Sequence, residues 1–146
     1  MKELYCEKSY RDGKLCSECY YKDSTKQELH REDGPARIFY YGSGNIDSEE
    51  YYKEGVLHRE DGPAKIEYWK NGNKRLEAYY IEGKPHREDG PVQTSYYEMW
   101  SDCIHDERYL IRDSKGEIID DIFISYYSNA FNVAFASGAP LPGLPA

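Results

Sequence analysis

Long apolar runs are missing from this chain: no stretch approaches the roughly 20 residues that a membrane-spanning helix requires. The opening residues, Met1-Lys2-Glu3-Leu4-Tyr5-Cys6, also lack the apolar core of a signal peptide. Both absences lead to the expectation of a soluble cytoplasmic protein. Cysteine is scarce. Cys6, Cys16, Cys19 and Cys103 are all there are, too few for a dense disulfide framework and in keeping with a reducing compartment. Basic side chains are outnumbered 19 to 27, leaving a net charge of −8, which disfavours direct attraction to nucleic-acid phosphates or anionic membranes. A protein partner with a basic patch fits this balance better. No glycine-rich phosphate loop and no recognisable nucleophile motif occurs, so neither an enzyme nor a cofactor is expected.

What the chain has instead is repetition. The string His-Arg-Glu-Asp-Gly-Pro starts at His30, at His58 and at His86, a spacing of 28 residues each time. A fixed period between about 20 and 50 residues marks an array whose units bury apolar surface against their neighbours. In alignment, Pro35-Ala36-Arg37-Ile38-Phe39-Tyr40-Tyr41 lies over Pro63-Ala64-Lys65-Ile66-Glu67-Tyr68-Trp69 and over Pro91-Val92-Gln93-Thr94-Ser95-Tyr96-Tyr97. Each opens on proline and is rich in β-branched and aromatic residues, which reads as a strand. A turn follows at Lys70-Asn71-Gly72-Asn73, matched by Gly42-Ser43-Gly44-Asn45. A second strand then runs through Asp47 to Tyr52 and Arg75 to Tyr80, giving two strands per repeat. Equivalent loops would lie two strand spacings apart, roughly 9 to 10 Å, as a ladder along one edge.

The expected fold is therefore all-β, an elongated antiparallel meander of β-hairpin repeats with a C-terminal cap. One domain covers 1–128, divided into an N-terminal unit 1–29, repeats 30–57, 58–85 and 86–100, and a cap 101–128. In the N-terminal unit, Arg11-Asp12-Gly13-Lys14 is a hairpin signal. Counting outward from it places Cys6 opposite Cys19 and Ser9 opposite Cys16. In the cap, Trp100 replaces the turn glycine, a hairpin is expected about Asp113-Ser114-Lys115-Gly116, and Ile118, Ile119, Ile122, Phe123 and Ile124 would close the array. The uncharged tail 129–146 reads as a flexible extension, a docking segment or an expression scar.

The loops bring imidazole, guanidinium and carboxylates together, a set able to serve acid–base work or metal binding. A structural role is the stronger reading, because Asp-Gly-Pro is itself turn chemistry and an active site needs no three copies. His30, Arg31, Asp33 and Gly34, with His58, Arg59, Asp61 and Gly62 and with His86, Arg87, Asp89 and Gly90, are accordingly assigned to repeat loops. No metal site is expected. Cys16 and Cys19 would point to opposite faces of a strand, and the Cys103/His105 pair has no nameable partners.

Strand alternation sends Ile38, Tyr40, Ile66 and Tyr68 to one face and Phe39, Tyr41 and Trp69 to the other. The row Tyr41, Trp69 and Tyr97 is either an exposed anchor for a partner or the core of a curled sheet. Tyr51 and Tyr79 extend the aromatic set, and Glu49, Glu50, Glu77 and Glu82 would steer a basic surface.

The motif Tyr52-x-x-Gly55-x-x-His58 continuing to Gly62, and Tyr80-x-x-Gly83-x-x-His86 continuing to Gly90, resembles MORN repeats and the MORN-like repeats of antitoxins, over about residues 5 to 100. The His-Arg-x-Asp-Gly-Pro-Ala repeats also look similar to those of proteins of phages and giant viruses, and a viral source would imply the host cytoplasm. The resemblance implies hairpins laid side by side and a non-catalytic binding or scaffold role. The longer period, the Arg-Glu-Asp-Gly-Pro loop and the negative charge argue against the lipid binding proposed for some MORN proteins. The function expected is masking or inhibition of a partner protein, of antitoxin, immunity or viral counter-defence type. The alternatives are an acidic nucleic-acid mimic that blocks a DNA- or RNA-binding enzyme, and a scaffold that assembles through open sheet edges into homo-oligomers.

Overall fold

Strand propensity in the aligned segments produces strands and nothing else: there is no helix among the described residues. The computed structural model describes residues 4–98 and 104–126 and the backbone of 133–135. In chain order the strands are β1 (Tyr5–Arg11), β2 (Lys14–Tyr21), β3 (Arg37–Tyr40), β4 (Ile46–Glu50), β5 (Tyr52–Lys53), β6 (Val56–Leu57), β7 (Lys65–Tyr68), β8 (Lys74–Ala78), β9 (Tyr80–Ile81), β10 (Lys84–Pro85), β11 (Gln93–Tyr96), β12 (Ile104–Arg112), β13 (Ile118–Tyr126) and β14 (Val133–Phe135). Ten of them form one antiparallel sheet in the order β1-β2-β3-β4-β7-β8-β11-β12-β13-β14, with β5–β6 and β9–β10 as separate two-stranded hairpins. β3, β7 and β11 start at Arg37, Lys65 and Gln93, the spacing of the sequence repeat.

The second strand of each repeat is shorter than the sequence suggests. It ends at Glu50 and at Ala78, and the Tyr-Tyr-x-x-Gly segment that follows folds into a hairpin of its own. The reason lies in the turn. Glu54-Gly55 and Glu82-Gly83 have φ of +50° and +80°, and of +50° and +75°. Positive φ at both central positions is the two-residue turn matched to strand twist. Glutamate is unusual there, which hid the hairpin. Repeats 30–57 and 58–85 thus hold four strands each, two in the sheet and two in a small hairpin beside it.

The predicted Cys6–Cys19 contact is corrected by a bulge. Pairing runs outward from Asp12-Gly13 through Arg11 with Lys14 and Tyr10 with Leu15, and then slips so that Ser9 faces Ser17, Glu7 faces Cys19 and Cys6 faces Tyr20. One extra residue, Cys16, moves every later pair by one position. Cys6, Cys16 and Cys19 are free thiols.

The sheet register lines up a row across nine strands: Lys8, Glu18, Ile38, Glu49, Ile66, Glu77, Thr94, Glu107 and Ile124 are successive cross-strand partners. Ile38, Ile66, Thr94 and Ile124 are buried together with Ala36, Ala64, Val92 and Ile122, so this is the core face. On the opposite face the neighbouring row reads Cys19, Arg37, Glu50, Lys65, Ala78, Gln93, Arg108 and Phe123. Arg37 pairs with Glu50, and Lys65 reaches Glu50 at 3.6 Å and Glu67 at 2.9 Å, so charges of alternating sign face one another across the strands.

The expected C-terminal cap continues the sheet rather than closing it. Its hairpin turns where predicted, with Asp113 N–H donating to the Glu117 carbonyl at 2.9 Å and Gly116 at φ +82°. Of the five apolar residues assigned to closure, only Ile122 and Ile124 are buried; Ile119 and Phe123 alternate onto the face opposite the core, and Ile118, at the start of β13, is exposed as well. No helix long and apolar enough to cross a membrane occurs among the described residues. Trp100 and Cys103, and the tail 129–146 apart from the 133–135 backbone, lie outside them.

Candidate functional site

The repeated loop is a small machine for holding one guanidinium flat. Arg31, Arg59 and Arg87 lie over the rings of Tyr20, Tyr51 and Tyr79, with the guanidinium carbon 4.1, 4.0 and 4.1 Å from the ring centroid. Nε of Arg31 and of Arg59 donates to Asp33 and Asp61 at 2.9 and 2.8 Å. Nη1 of each arginine reaches the carbonyl of Pro35, Pro63 or Pro91. The glycine supplies room: a Cβ built on Gly34, Gly62 or Gly90 would stand 3.2 to 3.3 Å from the guanidinium carbon. The Arg59 hydrogen bond holds the Asp61 carboxyl below the usual carboxylate range, and Arg31 does the same for Asp33.

The histidines couple one loop to the next hairpin. Nδ1 of His30 accepts the Glu54 N–H at 3.1 Å, and Nδ1 of His58 accepts the Glu82 N–H at 3.2 Å. A backbone N–H only donates, so the acceptor nitrogen is bare and the ring proton sits on Nε2. The hexapeptide glutamate is the exception to this structural engagement. Glu32 and Glu60 are 86% and 79% exposed, with the loop histidine 3.9 and 3.4 Å away. Together with Asp33, Asp61, Glu88 and Asp89 they present an acidic edge.

Glu49 and Glu77, predicted to steer a partner, are committed inside the repeat array. Tyr68 Oη donates to Glu49 at 2.7 Å, Tyr96 to Glu77 at 2.6 Å, and Tyr126 to Glu107 at 2.8 Å. The spacing of 19 residues recurs in all three pairs and is the sequence signal that would have found them. Burial, and then the carboxylate, raise each of these phenols above the ordinary tyrosine value. Tyr109, bonded to Glu107 as well, is pushed up to about 12 by the same two causes. Glu50 is buried against Arg37. Tyr51 and Tyr79 are half-buried under their arginines, while Glu82 is exposed in its turn.

The row Tyr41, Trp69 and Tyr97 stitches neighbouring repeats. Tyr41 Oη donates to the Tyr68 carbonyl at 2.6 Å, Trp69 Nε1 to the Tyr96 carbonyl at 3.3 Å, and Tyr97 Oη to the Tyr126 carbonyl at 2.6 Å. All three are half-buried. Trp69, Leu76, Tyr97 and His105 line an open cleft on the face opposite the core, with Glu67 and Asp106 beside them. The His105 ring meets Tyr97 edge-on, with centroids 4.6 Å apart. No cluster of three or more histidine, cysteine or acidic side chains able to hold a metal ion occurs among the described residues.

These features define an all-β protein built from hairpins, with structural loops on one edge and an aromatic cleft on one face. The chain matches no family model, no curated protein and no solved structure.

Proposed function

We propose that the protein is a non-catalytic binding module that masks or inhibits a partner protein, of antitoxin, immunity or viral counter-defence type. The observation that carries this reading is the cleft of Trp69, Leu76 and Tyr97, an apolar pocket on the sheet face opposite the core. Aromatic side chains fixed by bonds to neighbouring backbone lose little freedom when a partner covers them, which suits them as anchors. The acidic edge of Glu32, Glu60 and Glu88 gives attraction toward a basic surface. The resemblance to MORN-like repeats supports the same class of role. An acidic nucleic-acid mimic is the second reading, supported by the even placement of those exposed carboxylates.

The test is affinity capture from cells of the source organism, then calorimetry with the purified partner. Leu76→Arg is expected to weaken binding at least about tenfold while Ile119→Arg leaves it unchanged. Equal binding by both variants overturns the cleft as the site. A partner displaced by DNA or RNA, with steep salt dependence, selects the mimic.

A further inference from the structure

Among the described residues, the loop-to-hairpin coupling is complete at two loops and open at the third. At the first, Gly55 N–H donates to the Leu29 carbonyl at 2.9 Å, Arg31 N–H to the Tyr52 carbonyl at 3.2 Å, and Glu54 N–H to His30. At the second, Gly83 N–H donates to the Leu57 carbonyl at 2.8 Å, Arg59 N–H to the Tyr80 carbonyl at 3.1 Å, and Glu82 N–H to His58. A third small hairpin does not follow His86, because β12 and β13 run straight on instead. Among the described residues, Nδ1 of His86 and the N–H of Arg87 have no partner, and Asp89 makes no bond to Arg87. The remaining acceptor, the Pro85 carbonyl, is taken at 3.1 Å by Nη2 of the exposed Arg112.

The element that would fill this place exists elsewhere in the chain. Tyr52-Lys53-Glu54-Gly55-Val56-Leu57 and Tyr80-Ile81-Glu82-Gly83-Lys84-Pro85 are the two hairpins that seat on loops, and Tyr10-Arg11-Asp12-Gly13-Lys14-Leu15 has the same pattern. Its turn has the same backbone, with Asp12 at φ +50° and Gly13 at +74°. Its pairing is also the same: Arg11 faces Lys14 and Tyr10 faces Leu15, as Lys53 faces Val56 and Tyr52 faces Leu57. The seated glycines are packed, Gly55 against Glu28 and Gly83 against Val56, whereas a Cβ on Gly13 would meet nothing within 4 Å. Residues 8–14 are exposed throughout. Charge agrees, since Arg11 and Lys14 would approach the exposed Glu88 and Asp89.

We propose that the chain associates head to tail, with the Asp12-Gly13 hairpin tip of one copy seated on the His86 loop of the next. Asp12 N–H donates to His86 Nδ1, Gly13 N–H displaces Arg112 from the Pro85 carbonyl, and the Tyr10 carbonyl accepts the Arg87 N–H. Tip and loop are different surfaces, so the contact is heterologous and leaves a free tip and a free loop at the ends of every assembly. Three hydrogen bonds on a small area give a weak contact between separate chains, with Kd of about 0.1 to 1 mM.

Sedimentation velocity over a concentration series to about 1 mM tests this, at an affinity readable in that range. The wild type is expected to form a growing series of species. Gly13→Val, which a positive φ does not tolerate, and His86→Ala, which removes no side-chain bond among the described residues, are each expected to sediment as monomers. Folding of both variants is checked by circular dichroism. An equimolar mixture of the two is expected to stop at one heterodimer, because only one intact tip and one intact loop can meet. A wild type that stays monomeric, or association that survives in both variants as pairing through the β1 edge would, overturns the proposal. None of these substitutions touches the Trp69 cleft, so this result and the partner-binding result stand or fall separately.

Discussion

The guanidinium of Arg59 lies 4.0 Å from the centroid of the Tyr51 ring, and a Cβ added to Gly62 would come within 3.2 Å of the guanidinium carbon. The same close set of ring, cation and glycine recurs at Arg31 and Arg87. Its repetition accounts for the arginine, aspartate and glycine that recur in all three loops, whereas Glu32, Glu60 and Glu88 recur without such a task.

Gly62→Ala is expected to destabilise the protein by about 1 kcal/mol, the worth of a cation–ring contact that has to open. The backbone of Gly62 does not require positive φ, so the cost is steric. Arg59→Lys is expected to lose about 1 to 2 kcal/mol, because an ammonium neither lies flat on the ring nor bonds Asp61 and Pro63 in one plane. Urea unfolding of both variants checks this, with Gly42→Ala, where an added Cβ meets nothing within 4 Å, as the silent control.

His58→Ala is expected to cost about 1 to 2 kcal/mol by leaving the Glu82 N–H without its acceptor. His86→Ala is expected to cost a few tenths at most, because among the described residues no bond to His86 Nδ1 exists to be lost. A larger cost at His86 than at His58 would refute the coupling of loops to hairpins. Native-state hydrogen exchange gives a direct readout, since the Glu82 amide is expected to exchange faster in the His58 variant alone.

The phenol of Tyr96 and the ammonium of Lys74 both donate to Glu77, at 2.6 Å each. Burial alone would raise the Glu77 carboxyl, but these two bonds outweigh it and hold it below the usual range. A depressed carboxyl stabilises the fold at pH above its unfolded value, about 4.3, and that contribution is lost as pH falls through the folded value. The stability difference between wild type and Glu77→Gln is therefore expected to be largest near neutrality and to shrink in acid. Tyr96→Phe is expected to cost about 1 to 2 kcal/mol near neutral pH and less in acid. Chemical denaturation at pH 7 and in acid measures both.

The period, the all-β class and the sheet strands were legible because alternation, proline at strand starts and turn glycine are local signals. The small hairpins were not, since Glu54 and Glu82 occupy a conformation usually given to asparagine or aspartate, and tertiary seating on His30 and His58 supports them there. The register of Cys6 was lost to a bulge that leaves no mark in composition. For the candidate site, the row Tyr41, Trp69 and Tyr97 was visible, but its bonds to carbonyls of the next repeat were not, because backbone acceptors have no sequence signature. The Tyr–Glu pairs could have been read from their constant spacing.

The continuation of the sheet past the last hexapeptide makes a final prediction. Ile124 is fully buried and Ile122 nearly so, while Ile119, on the opposite face of the same strand, is 64% exposed. If β13 belongs to the same cooperative unit as the repeats, Ile124→Ala removes packing from the common core. It is then expected to cost about 2 to 5 kcal/mol in a single two-state transition, with Ile119→Ala near zero. A biphasic transition in the Ile124 variant, with the repeats unfolding as in wild type, would instead make the C-terminal hairpin an appendage. Cooperative loss is expected because Tyr126 bonds Glu107 on β12 and its carbonyl accepts the phenol of Tyr97, so the core of β13 and the aromatic row of the last repeat share one strand end.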